Sequence, residues 1–291
     1  MTWITASFPY LAPEIAEKFG AITTTRKEGV SLAPFGSFNL ATHVGDKLTH
    51  VRANRAILRD ALSNDQSKEL DKGLHKESCS NNQEHSNTYS QPEPYWLEQT
   101  HSVKVLELPQ QYFYECATNK APEADASFTS KTQTTCVVMT ADCLPLLIVN
   151  NDATEVAAIH AGWKGLANGI IEQTMNAMSS SNETLHVWLG PAIGPNAFEV
   201  GEDVRQEFML QSNRYSTCFS PKQGQLTETK PAEGRKYLAD IYSLAKVQLN
   251  ALGVRYISGG EYCTYSQSDL FFSYRKEGQT GRMASLIWIK N

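Results

Sequence analysis

The sequence lacks the features that define several large protein classes. Its six cysteines, at positions 79, 116, 136, 143, 218 and 263, form no CxxC pair and no dense framework, so reduced thiols are expected rather than a disulfide scaffold. The longest apolar stretches, such as Leu144 to Val149, fall far short of the ~20 residues that span a bilayer. The N-terminal MTWITASFPYLAPEIAEKFG has no basic head, apolar run and small-residue cleavage site, so no targeting segment is expected. Neither sign of charge dominates: 26 Lys and Arg against 31 Asp and Glu leave a net charge of −5. That argues against a broad basic surface for nucleic acid or anionic membranes. No internal repeat is present. Together these absences lead to the expectation of a cytoplasmic, soluble protein, and they exclude collagen-like and wholly disordered classes.

What is there is an ordinary globular mixture. Of 291 residues, 41% are hydrophobic and 20% charged, enough for one large core or two modest ones. One stretch differs. Ser63 to Pro94 holds only Leu70, Leu74, Cys79 and Tyr89 as apolar side chains and is expected to be a mobile insertion at 63–94. Its His75, Cys79 and His85 are weak metal candidates, because mobile ligands organise a site poorly. Elsewhere short aliphatic runs read as buried strands: Cys136–Ala141, Leu146–Val149, Val156–Ile159, Leu185–Leu189, Tyr256–Ser258 and Met283–Ile289. Ala167, Ile170, Ile171, Thr174 and Met178 recur at helical spacing. A second helical set runs through Leu238, Ile241, Leu244, Ala245, Leu249 and Leu252 to a stop at Gly253. Strands and helices interleave without strict alternation, so the expected fold is α/β (mixed α+β). It is a single domain over 1–291, with a mixed β-sheet core flanked by helices.

Three polar residues stand where apolar runs end. Cys143 follows Cys136–Ala141 in Ala-Asp-Cys-Leu, His160 closes Val-Ala-Ala-Ile and opens His-Ala-Gly-Trp, and His101 lies in Gln-Thr-His-Ser. Strand ends facing loops are where such folds place their sites. No local zinc-finger spacing joins the three, and each has an ordinary alternative, a buried core thiol or a histidine satisfied by backbone carbonyls. If they converge, they form a Cys-His₂ set with an open fourth position, the pattern of catalytic zinc. A metal there would hold Cys143 as a thiolate; without one, either histidine could activate it as a nucleophile. Gly162 and Gly165 permit close approach of a ligand, and Trp163 is either an aromatic wall or a core residue. Two segments offer arginine, hydroxyls and turn glycines suited to phosphate or ribose: Thr23–Val30, with Arg26, leading to Asn39, and Phe271–Gly278, with Arg275. Gly190–Pro195 matches neither dinucleotide nor P-loop fingerprints and reads as a rigid connection.

Taken together, Ser37–Asp46, Trp96–His101, Val138–Leu147, Ala157–Leu166, Trp188–Gly201, Cys263–Thr264 and Phe271–Trp288 resemble the YfiH-like family, also called the polyphenol oxidase or laccase-domain family. The segments span nearly the whole chain in the family's order. The resemblance implies one α/β domain with a metal site, generally zinc, carried by His101, Cys143 and His160. It also implies phosphorolysis of adenosine, inosine, guanosine and methylthioadenosine, with adenosine deamination. Arg275 is carried over as a phosphate or substrate ligand. Asp142 is a further catalytic candidate, and Arg26, Asn39 and Trp163 are candidates for substrate contact. The expected partners are small-molecule purine nucleosides and phosphate, neither nucleic acid nor membrane, with a monomer as the favoured state. The family's older label is copper-dependent polyphenol oxidation, and a role in guarding peptidoglycan precursors is also attached to it. Seven histidines without an HxH pair supply a multicopper relay poorly, and the HxE…PCxxC signature of zinc deaminases is missing. Phosphorolysis is therefore the leading expectation, with zinc as cofactor and copper as its alternative. A Cys143/His160 hydrolase or amidase acting on peptidoglycan precursors stands second.

Overall fold

A computed structural model describes residues 2–70, 94–109, 121–222 and 234–290. Two sheets face each other. Strands β1 (Trp3–Thr5), β2 (Phe19–Thr24), β13 (Met283–Ile289) and β5 (Thr135–Thr140) form an antiparallel four-stranded sheet in that order. A six-stranded sheet runs β12 (Tyr256–Gly259), β8 (Leu185–Leu189), β6 (Leu144–Asn150), β7 (Val156–Ala161), β4 (Ala126–Thr129) and β3 (Val105–Glu107). It is mixed, with parallel pairs at its two edges and antiparallel pairs between. A small antiparallel sheet of β10 (Phe219–Pro221), β11 (Lys236–Ala239) and β9 (Glu199–Gly201) lies apart.

The mixed α+β class read from the sequence is the class observed, with its strands divided among three sheets. The division explains the unbroken apolar runs. Along β6, Leu144, Leu146 and Ile148 pack with helices Ile170–Ala177 and Ile241–Ala251, while Leu147 and Val149 join Cys136, Val138 and Ile287 between the sheets. The far face of the four-stranded sheet, with Val137, Met139, Leu286 and Trp288, packs on Phe38, Leu40, Leu58 and Leu62. Both faces of the central strands of the four- and six-stranded sheets are covered, so period-two alternation there separates two apolar environments rather than core from solvent.

Several boundaries differ from the sequence reading. Leu238 belongs to β11, because the Asp240 carboxylate accepts from the Tyr242 and Ser243 amides and starts the helix at Ile241. The helical pattern after His160 is two helices, Trp163–Ala167 and Ile170–Ala177, broken where Gly169 takes φ +87°. Helix Leu48–Leu70 takes in residues 63–70 of the expected insertion. A helix once nucleated extends through residues that would not start one. Residues 71–93, with His75, Cys79 and His85, lie outside the described residues. Among the described residues, no helix is long and apolar enough to cross a membrane.

Candidate metal and active site

Strand register assembles the site. β6 and β7 pair Leu144 with Ala161 and Pro145 with His160, which sets Cys143, one residue before β6, against the end of β7. β4 pairs Ala126 with Ile159, so Asp125 lies across from His160, whose amide donates to the Asp125 carbonyl at 2.7 Å. Leu144, Ile159 and Ala126 all face the helical side, so by alternation Cys143, His160 and Asp125 share the opposite face. That face meets the four-stranded sheet, from which the chain crosses at Asp142 and Cys143.

His101 arrives from a loop. The Gln99 side chain pairs with both the amide and the carbonyl of Met139, at 2.7 and 2.8 Å, and ties the loop to β5. His101 itself adopts φ +61°. The buried Asp125 carboxylate then accepts from the Thr100, His101 and Ser102 amides, the Ser102 hydroxyl and His160 Nδ1, the last at 2.7 Å. One carboxylate thus orients the His160 ring and pins the backbone of the His101 loop. Sequence reading missed it; its signal was an acid immediately before a short strand.

The ligand atoms of His101, Cys143 and His160 all lie within 4.8 Å of one another, with Cys143 Sγ 3.7 Å from His101 Nε2. His160 is buried, Cys143 half-buried and His101 exposed, so the cluster opens outward. Burial works against charge on both sulfur and imidazole, but each favours charge on the other. The Cys143 thiol is brought down to about 6 by His160 and by the bond from His101. His160 is raised to about 9 by Cys143 and Asp125. Asp125, also opposed by burial, is lowered to about 2 through its bonds from His160 and Ser102.

The donor set fits a metal. A Cβ on Gly162 would stand 2.7 Å from the His101 ring and 3.1 Å from Cys143 Sγ, so glycine keeps open the space the donors surround. Asp125 occupies His160 Nδ1 and leaves Nε2 for coordination, the usual carboxylate–histidine support of a bound cation. One sulfur and two imidazoles suit zinc with a position left for substrate.

The remaining predicted residues take other places. Asp142, at φ +93°, accepts from Thr264 Oγ1 and from the Arg275 amide, both at 2.6 Å, so it braces the turn that carries Cys143. The Arg275 guanidinium reaches away, donating to the Glu199 carbonyl at 2.9 Å beside Phe198. Arg26 lines a cleft of about 300 Å³ with Pro34, Glu277 and Gln279, and none of the three donors borders it. Its guanidinium is spent on Glu277 and on the carbonyls of Gly36, Ser268 and Phe271. Asn39 takes a place in the scaffold. It is wholly buried, donating to the Ala41 carbonyl and Asp46 and accepting from the Ala41 and Arg282 amides. Trp163 begins a helix half-buried against the core of the six-stranded sheet.

The fold and site define a mixed α+β protein with an outward-open Cys-His₂ cluster that could hold a metal ion, braced by one buried carboxylate. The family model for multi-copper polyphenol oxidoreductase laccase matches residues 20–88 and 71–290. The chain is 42% identical over 269 residues to the purine nucleoside phosphorylase YfiH of Escherichia coli, covering 92% of this chain and 93% of the relative. It is 39% identical over 276 residues to a Haemophilus influenzae purine nucleoside phosphorylase, at 95% and 96% coverage. A solved Neisseria meningitidis protein of a family of undescribed function superimposes with TM-score 0.79 at 37% identity, over all of both chains. The chain belongs to the YfiH, or laccase-domain, family.

Proposed function

We propose that the chain is a zinc-supported purine nucleoside phosphorylase, acting in the cytoplasm on adenosine, inosine, guanosine and methylthioadenosine, with an accompanying adenosine deaminase activity. The observation that carries this reading is the outward-open His101–Cys143–His160 cluster, in a chain sharing most of its length with relatives named for phosphorolysis. In the reaction a phosphate oxygen bonds to ribose C1′, the C1′–N9 bond breaks, and the purine leaves with a proton. Positive charge develops on the sugar, so the protein's work is positioning and electrostatic stabilisation. Zinc held by His101, Cys143 and His160 would supply Lewis-acid polarisation of a substrate atom. Asp125 aims the His160 imidazole and fixes the backbone of His101, Gly162 keeps the space free, and Asp142 fixes the turn bearing Cys143. For adenosine, hydrolysis at C6 replaces the amino group with oxygen and releases ammonia.

Inosine with and without phosphate tests this reading. Purine and ribose 1-phosphate released in equal amounts, only when phosphate is present, are expected; phosphate-independent turnover or none overturns it. Inosine and ammonia formed from adenosine test the second activity. The copper-oxidase wording rests on the family model's description. The described residues hold one three-donor cluster, whereas a multicopper relay draws on several. The lowered Cys143 thiol favours one other reading, a thiol hydrolase or amidase with Cys143 as nucleophile and His160 as its partner. A trapped acyl-enzyme would establish that reading in place of phosphorolysis.

A further inference from the structure

We propose that the phosphate co-substrate is held by Arg282 beside Cys143, with Arg55 as a second cation nearby. The inference rests on the phosphorylase reading and relocates the anion from Arg275, where sequence resemblance puts it. The placement follows from register. β13 and β5 pair Met283 with Thr140, so Arg282, one residue earlier, comes abreast of Ala141 and the Asp142–Cys143 turn. Its guanidinium lies where negative charge on Cys143 and Asp142 acts on it, and 5.7 Å from the centre of the exposed Tyr274 ring.

The guanidinium is anchored yet has donors left. Nη1 donates to the Thr280 and Gly281 carbonyls, both at 3.0 Å, and the Arg282 amide donates to Asn39 Oδ1. Nε and Nη2, parallel donors along one edge, have no hydrogen-bond partner among the described residues. That edge matches two oxygens of a tetrahedral phosphate. Asp142, whose carboxylate oxygens accept from Thr264 and the Arg275 amide, makes no hydrogen bond to that edge.

A second guanidinium lies close by. Burial and then the charges of Arg282 and Arg55 hold the His43 imidazole below its ordinary value, with Glu98 acting in the other direction, so His43 stands neutral near both arginines. Arg55 is fixed by its Nε bond to the Leu40 carbonyl and by stacking 3.8 Å from the centre of the Trp96 ring. Two guanidiniums close to one neutral imidazole favour a dianion between them, and the imidazole can add a hydrogen bond. Arg275 offers no comparable setting, since its side chain is exposed and turned to Glu199.

The test is phosphate dependence of inosine cleavage in Arg282→Gln and Arg282→Lys, with circular dichroism to check folding. Arg282→Gln is expected to raise the KM for phosphate about tenfold or more and to leave the KM for inosine within about twofold. Arg282→Lys should fall between, since an ammonium keeps the charge and loses the paired donors. A phosphate KM within about twofold of native in Arg282→Gln, or a rise confined to Arg275→Gln, overturns the assignment. Calorimetric titration of inorganic phosphate into native and Arg282→Gln protein provides a measurement without turnover. Binding in native that weakens about tenfold in the variant supports the site, and equal binding overturns it. Should native protein bind phosphate through Arg282 yet never cleave inosine, the phosphorylase reading fails and the anion site stands.

Discussion

Asp125 and His160 are joined twice across adjacent strands, by backbone from the His160 amide to the Asp125 carbonyl and by side chain from Nδ1 to Oδ1, each at 2.7 Å. The double link fixes both the strand register and the imidazole tautomer, leaving Nε2 turned to Cys143. Asp125→Asn should therefore weaken zinc binding about ten- to a hundredfold, measured by competition with a chromophoric chelator. An amide in place of the carboxylate sets an N–H₂ against donors, so the His101 loop should also exchange amide hydrogens faster. Unchanged zinc affinity would show that the carboxylate does not organise the cluster.

Gly162→Ala isolates the space between the donors. Its φ of −70° and ψ of 164° suit alanine, so the backbone should tolerate the methyl group. The added carbon would press on the exposed His101 ring and on Cys143 Sγ. A small change in Tm with a loss of zinc affinity and of inosine turnover of about tenfold or more is the expected outcome. Full activity would mean that the reacting atoms lie elsewhere.

Titration of the metal-free protein should report the sulfur–imidazole pair. Cys143 has a folded value near 6, below the ordinary thiol value of 9.0, so its thiolate stabilises the fold at high pH and loses that contribution as pH falls through about 6. His160 is raised from 6.5 to about 9, so its imidazolium contributes at low pH and ceases to as pH rises through about 9. The pair is thus intact between about 6 and about 9. Ultraviolet thiolate absorbance, corrected with Cys143→Ala, should show a midpoint near 6 that moves upward in His160→Asn. A native midpoint near 9.0 would contradict the pairing.

Asp142→Ala removes the acceptor shared by Thr264 and the Arg275 amide and leaves a non-glycine residue at φ +93°. Bonds to a buried carboxylate contribute roughly 1.5–3 kcal/mol each, so loss of the two should lower the unfolding free energy by roughly 3–6 kcal/mol in denaturant titration. Asp142→Asn, which keeps an acceptor, should lose less. Equal losses would place the effect in the backbone conformation instead.

Some of this was legible in the chain alone. Cys143 and His160 could be picked out because apolar runs stop beside them, and strand ends in mixed folds face open space. Met283–Ile289 and Leu185–Leu189 were read with their observed bounds, since strands covered on both faces are continuous in sequence. Asp125 was not legible: an isolated acid has no periodicity, and its five bonds come from residues distant in sequence. Nor was the difference between Arg275 and Arg282. Both follow turn residues near the C-terminus, and only the pairing of β13 with β5 puts one beside Cys143 and turns the other toward Glu199. The burial of Asn39 was not legible either: polar residues in a loop usually meet solvent, whereas here the loop is folded under and the Asn39 side-chain oxygen accepts from the Arg282 amide.

Local chemistry determined which segments become strands and helices and which side chains are able to bind a metal, because hydrophobic period and ligand type are properties of short stretches. Tertiary structure decided that His101, Cys143 and His160 face one another, that Asp125 serves two of them, and which arginine stands over the site. Those relations depend on register between strands far apart along the chain, set by the burial of two whole sheets rather than by any neighbouring residue.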